Sequence, residues 1–237
     1  SDDWLSRDAL EKVCESFRDD VDSVLFRVLY AYPDGRMRDY AMSPFTTMTG
    51  DEAFRASLTW QIHGCYVVRN SIHKAHPYDE SQRAYSDDNT TRIHYYYSRK
   101  VAYCEGVYYY RQQPVSTTHS VSVRRFDFLL ANESMRRQLL SLGASEENLR
   151  CYETVRWLNL VGVYMFYYLH RNELSLTDRQ HGLSVMYHVW HTINIKQVSR
   201  SIRCKFGYMP LRFSWSLFRL QEELYFWLRG LVGKNRE

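Results

Sequence analysis

Cysteine is scarce and unpatterned in this chain. The five residues, Cys14, Cys65, Cys104, Cys151 and Cys204, are odd in number, far apart and never in CxxC spacing, which argues against both a disulfide framework and a zinc site. A reducing cytosol is the natural reading. No long hydrophobic run is present either: the longest uncharged apolar stretch, Trp157 to Leu169, is short of the roughly 20 residues that span a bilayer. Neither an internal repeat nor a low-complexity linker is visible. Charge of one sign is also lacking, since a net +4 with no concentrated basic stripe is too little for a nucleic-acid binder. No signal peptide is visible, and the chain opens on Ser rather than Met at what reads as the start of a motif; the expectation is that an upstream portion precedes it.

What is present is ordinary in bulk and unusual in one residue. With 237 residues, 45% hydrophobic and 24% charged, the chain can bury a real core as one large domain or two small ones. Tyrosine alone contributes 20 residues, a composition that suits carbohydrate-facing surfaces because each ring offers apolar area and a hydroxyl. The first half alternates short elements. A helix is expected from Ser6, with Ser6 as N-cap and Leu10, Val13 and Phe17 on one face, then a strand from Asp22 to Tyr32, a turn at Pro33-Asp34-Gly35, and a return over Met37 to Met42. Further helices are expected over Thr49 to Trp60, up to Lys74, and over Asp87 to Arg99. Two short strands, Val101 to Tyr103 and Val107 to Arg111, are expected around a turn at Cys104-Glu105-Gly106. After Pro114 the chain reads as long helices nearly free of Pro and Gly: Phe126 to Leu142, Glu146 to His170, Asp178 to His191 and Phe213 to Leu231.

Three motifs occur in order: Ser1-Asp2-Asp3-Trp4-Leu5, then Tyr85-Ser86-Asp87-Asp88-Asn89-Thr90-Thr91, then Tyr108-Tyr109-Tyr110-Arg111 with Ser116-Thr117-Thr118-His119. Together they resemble an inverting family 2 glycosyltransferase of GT-A fold, over Ser1 to about Phe128. The resemblance implies an α/β fold, with residues 1–118 as the rear, acceptor-side half of a GT-A nucleotide-diphospho-sugar transferase domain and 119–237 as a helical region. It implies that Asp2 matches the second carboxylate of the family's DXD motif and binds a divalent metal, Mn2+ or Mg2+, with Asp3 assisting the metal or the sugar. A hard cation held by oxygen ligands suits this role, because the leaving diphosphate gathers negative charge.

The resemblance further implies Asp88 as general base, with Asp87 beside it. Inverting displacement needs one carboxylate opposite the leaving group to take the acceptor hydroxyl's proton. Arg111 and His119 would face the diphosphate, while Trp60, Tyr66 and Arg69 lie in the region that lines the acceptor pocket. The donor is then a nucleotide-sugar of UDP type and the acceptor a glycan or lipid-linked glycan in surface polysaccharide synthesis. The family's first strand and nucleotide-contacting loop have no counterpart here, so the chain alone is expected to be inactive.

Plainer readings stand beside each of these. Ser1-Asp2-Asp3 can be an acidic approach to a helix; Asp87 and Asp88 can favour a helix N-terminus with Ser86 as cap; Arg111 can be an edge-strand ion pair; His119 can be a solvated helix start; Trp60 can pack in the core. His188 and His191, one turn apart with no third ligand, are too weak a metal signal. The stretch from Ile195 to Glu237 has nine Lys or Arg against three Glu, and its last helix is rich in Trp, Phe and Leu. It can rest on an anionic membrane face, make a homodimer, or form core. The alternative to an enzyme is therefore a binding or assembly module that docks a membrane or partner through its helical part.

Overall fold

The computed structural model describes residues 2–18, 20–78, 85–112 and 121–235. The chain is a mixed α/β protein whose contacts divide it into two compact units, Ser1–Ser81 with Ser86–Ser120, and Gln82–Tyr85 with Val121–Glu237. The motif residues Ser1, Ser116, Thr117, Thr118 and His119 lie outside the described residues, as does the side chain of Ser86.

In the first unit β1 (Trp4–Leu5), α1 (Ala9–Ser16), β2 (Ser23–Ala31), β3 (Met37–Asp39), β4 (Thr47–Thr49), α2 (Gly50–Leu58), β5 (Tyr66–Val68), α3 (Asn70–Ala75), α4 (Ser86–Tyr97) and β6 (Lys100–Arg111) follow in order. The centre of the sheet is a parallel pair, β2 with β6. Each long strand carries two short antiparallel partners on its outer edge, β3 and β5 on β2, β1 and β4 on β6. The sequence of β2, SVLFRVLYA, explains its place: a nearly unbroken run of β-branched and aromatic side chains suits a strand covered on both faces. Val24 and Phe26 pack with Ala9 and Val13 of α1, whereas Leu25 packs with Ala53 of α2 and Tyr95 of α4. The expected hairpin forms, with Tyr30 opposite Arg38 and Arg27 holding Asp39 through both oxygens at 2.8 and 3.1 Å. At the entrance to β2 the buried Asp22 takes two hydrogen bonds from the Arg99 side chain, at 2.9 and 2.8 Å, and pairs with Arg69 at 3.1 Å. These guanidinium contacts, Arg99 first, hold the Asp22 carboxyl below its ordinary range.

Two local expectations are corrected. The helix starts at Ala9 with Asp8 in the cap position; Ser6 instead donates to Asp8 at 2.7 Å and accepts the Val107 amide at 3.1 Å, tying the chain to β6. The two short strands around a turn are one continuous strand, β6, whose register against β2 shifts between Leu25 and Arg27. Gly106 marks that irregularity rather than a turn. A Cβ there would stand 2.8 and 2.9 Å from the Ala9 carbonyl oxygen and Cα, so glycine is what lets α1 approach the strand.

The second unit is helical: a 3-10 turn (Val123–Phe126), α5 (Asp127–Ser141), α6 (Glu146–His170), α7 (Leu176–Thr192), α8 (Arg200–Arg203) and α9 (Trp215–Leu231). Ser145, Ser175 and Ser214 cap α6, α7 and α9 by accepting the amide three residues on. The core gathers Phe126, Trp157, Tyr164, Met186, Trp190 and Phe218. Within it the buried Glu153 is satisfied by Arg156 at 3.0 Å, by Arg136, and by the Asn194 amide at 3.2 Å. Trp157 and Trp190 donate their indole N–H groups to the Tyr208 and Pro210 carbonyls.

Candidate functional site

The sheet has a cleft over the carboxyl-terminal halves of its parallel strands β2 and β6. It measures about 710 Å3 and is confined to the first unit. Val28 and Tyr30 of β2 and Tyr110 of β6 line it from the sheet. Trp60, His63 and Cys65 come from the segment after α2, Tyr66 from β5, Asp87, Asp88 and Thr91 from the first half of α4 and His94 from its last turn.

Asp88 is the carboxylate of this cleft that burial alters. Burial raises its pKa to about 6, Asp87 adds to the rise, and Arg92 opposes it. Asp87, one residue earlier, is exposed at the same helix N-terminus. Arg92 itself is buried, with its guanidinium 5.4 Å over the Trp60 ring. One side chain thus acts on both the acid and the aromatic wall. Trp60 is not core: it is 45% exposed and holds a left-handed φ of 57°, while its carbonyl accepts the Tyr40 hydroxyl at 2.5 Å. A non-glycine residue in that conformation costs about 1–3 kcal/mol, and such strain collects at binding sites.

The other wall is an ordered polar chain. His94 Nε2 lies 2.8 Å from the His76 carbonyl, so Nε2 carries the proton and Nδ1 accepts the Tyr66 hydroxyl at 2.5 Å. Burial lowers the His94 pKa and raises that of Tyr66, so both stay neutral near pH 7. His63 is deeper, its pKa lowered by burial to about 4, with Nδ1 accepting the Cys65 amide at 3.2 Å. The Cys65 thiol is pushed up to about 12 by burial and then by Asp3, which leaves it protonated and a poor nucleophile.

The opening motif meets the cleft at Tyr110. Burial raises the Tyr110 phenol first, and Asp3, Cys65, Asp2 and Asp87 all push it in the same direction, so the opening acidic pair and Asp87 act on one ring. Asp3 is already engaged, one oxygen accepting the Arg111 amide at 2.9 Å and the other the Tyr108 hydroxyl at 2.8 Å. Arg111 donates to the Asp2 carbonyl at 3.0 Å and lies 5.2 Å over the Trp4 ring. Arg69 is placed elsewhere. It does not line the cleft, and its guanidinium serves the Val21 and Arg18 carbonyls at 2.9 and 2.8 Å together with Asp22.

For a divalent metal the fit is partial. Among the described residues no group of three or more His, Cys, Asp or Glu is gathered to hold one. Asp2 is an exposed carboxylate, and one or two such groups suffice where substrate phosphates and water fill most positions around Mg2+. His188, discounted as a ligand, donates its Nε2–H to the Glu133 carboxylate at 2.9 Å.

Of the residues lining this cleft, sequence reasoning named Asp87, Asp88, Trp60 and Tyr66 and missed Tyr40, His63 and His94, together with Arg92 behind Trp60. Only Arg92 left a trace, its four-residue spacing from Asp88. No protein-family model, curated protein or solved structure matches the chain.

Proposed function

We propose that the chain forms the acceptor side of a GT-A-type inverting glycosyltransferase that uses a nucleotide-sugar of UDP type, with a glycan or lipid-linked glycan as acceptor. The reading rests on Asp88, a carboxylate of raised pKa beside the aromatic walls of a cleft whose Tyr110 also feels the opening acidic pair. Above pH about 6 Asp88 is ionised and can take the proton of an acceptor hydroxyl. The hydroxyl oxygen then forms a bond to the anomeric carbon, and the bond from that carbon to the nucleoside diphosphate breaks with its electron pair. Trp60 and Tyr110 offer ring faces to the C–H surface of a sugar. The ordered Tyr66–His94 pair offers polar contacts to its hydroxyls. Asp2, with Asp3 behind it, would hold the metal, which when bound neutralises charge on the departing diphosphate.

The test is UDP release from a panel of UDP-sugars by the complete protein, with and without oligosaccharide acceptors, in wild type and Asp88→Asn. Acceptor-dependent release that the variant loses supports the reading. Unchanged turnover in Asp88→Asn removes the base assignment, and no release from any donor removes the reaction.

A further inference from the structure

A surface helix ordinarily turns its charges to water and its apolar stripe inward. Helix α9 is apolar on its outward face as well. Its inward face is Phe218, Gln221, Glu222 and Phe226, all buried. Its remaining charges are partly buried and engaged: Arg219 donates to the Tyr164 hydroxyl at 3.3 Å, Glu223 accepts from Arg171 at 2.7 Å, and Arg229 donates to the Lys234 carbonyl at 2.6 Å. The outward face holds no charge at all. It is Leu217, Leu220, Leu224, Trp227 and Leu231, spaced by three and four residues, with Leu220 63%, Trp227 52% and Leu231 67% exposed. Phe213, one turn earlier and 76% exposed, extends the same line. This stripe and its neighbours Leu228 and Val232 present on the order of 900 Å2 of surface, well above the few hundred Å2 of an ordinary exposed patch and close to one side of a standard interface.

A hollow of about 540 Å3 adjoins the stripe, sharing Leu228 and Val232 with it. Its cations are Lys205, Arg229 and Lys234, and none of its lining residues is acidic. Lys205 lies 4.9 Å over the Tyr208 ring and Arg229 5.6 Å over Tyr225, so aromatic walls hold the charges at the edge of the apolar surface.

We propose that this face of α9 rests on an anionic lipid bilayer, with the leucine and tryptophan stripe in the headgroup–acyl boundary and the basic hollow against lipid phosphates. Apolar area with aromatic anchors supplies the first half of such binding and lysine and arginine at its rim the second. A second copy of the chain fits less well, because the acidic residues of α9, Glu222 and Glu223, are buried or tied to Arg171 and offer no counter-charge to the hollow in either orientation. The contact is peripheral, since no helix among the described residues is long and apolar enough to cross a membrane. It belongs to the second unit alone and does not depend on the glycosyl-transfer reading.

Flotation of the chain with vesicles of phosphatidylcholine alone, or of equal parts phosphatidylcholine and phosphatidylglycerol, tests it. Binding is expected to the anionic vesicles, weakening as salt screens the charges. Leu220→Glu with Leu224→Glu is expected to reduce it at least about tenfold by placing charges in the apolar layer, with the unfolding midpoint unchanged because both positions are exposed. Lys205→Gln with Lys234→Gln is expected to erase the preference for anionic vesicles. No flotation of the wild type overturns the proposal, as does flotation indifferent to the leucine pair. Sedimentation equilibrium that finds a dimer dissolved by the leucine pair, without vesicle binding, assigns the stripe to a second copy instead.

Discussion

Replacing Glu222 by glutamine should make the protein more stable, and by an amount that depends on pH. Glu222 is wholly buried in α9; one carboxyl oxygen accepts from Gln221 at 3.1 Å and the other has no hydrogen-bond partner. Burial raises its pKa from 4.5 to about 8, so at pH 7 the folded chain keeps a proton that the unfolded chain releases. The cost is about 1.4 kcal/mol for each pH unit above the unfolded pKa, or about 3 kcal/mol at pH 7. The sign is that of a raised acid: the stability is whole below pH 4.5 and drains away as pH climbs through 8.

Glutamine has the same shape and no proton to lose, and its amide leaves a polar group unpaired where the protonated carboxyl already does. A further cost of about 1 kcal/mol for the second N–H brings the expected gain in Glu222→Gln to about 2 kcal/mol at pH 7, turns it into a small loss at pH 4.5 and leaves it larger at pH 8.5. Urea unfolding followed by tryptophan fluorescence reads it, since Trp157, Trp190, Trp215 and Trp227 all lie in that unit. A variant no more stable than wild type at pH 7, or a gain that is the same at pH 4.5, would refute the reasoning.

Asp88→Asn should combine a gain with a loss. The raised acid costs the folded state stability as pH rises from 3.8 through about 6, so the variant should be about 2 kcal/mol more stable at pH 7 after allowance for partial exposure, and equal at pH 3.5, in melts across that range. Its sugar transfer should fall by about 10²–10⁴, and wild-type kcat/KM should rise with pH through about 6. At Trp60, glycine should be better tolerated than alanine by about 1 kcal/mol because of the left-handed backbone, while both should weaken acceptor binding in a saturation assay. Gly106→Ala should cost about 2 kcal/mol or more, read by far-ultraviolet circular dichroism in urea, because its Cβ meets the Ala9 backbone and not a movable side chain.

Elements whose signals are local were legible. The helix expected from Glu146 to His170 forms over those residues, and the strand expected from Asp22 to Tyr32 forms over Ser23–Ala31, because periodicity and β-branching act within a few residues. Long-range contacts were not. Gly106 reads as a turn until α1 is known to press on it, and Ser6 reads as a cap until β6 is known to take its hydroxyl. The cleft shows the same division. Asp88 announces itself by its place at a helix start, but Tyr40, His63 and His94 reach the cleft from three separate stretches of chain that only tertiary packing unites. For Trp60 apolarity allows core packing as readily as an acceptor wall, and only the left-handed turn that carries it to the surface separates the two. For α9 the sequence displays apolar residues on every side and cannot say which side the fold leaves uncovered.

The parallel pairing of β2 with β6 has a consequence for the order of folding. Asp22 and Arg99, the ion pair at the root of that pairing, are 77 positions apart, and a chain must close that whole loop before the contact repays its entropy. The helices of the second unit are joined by short connections and draw on near neighbours, the pattern associated with fast folding. Refolding from denaturant should therefore show tryptophan fluorescence from the helical unit recovering in an early phase, and the strand signal of the sheet in a later one, with Asp22→Asn slowing only the second.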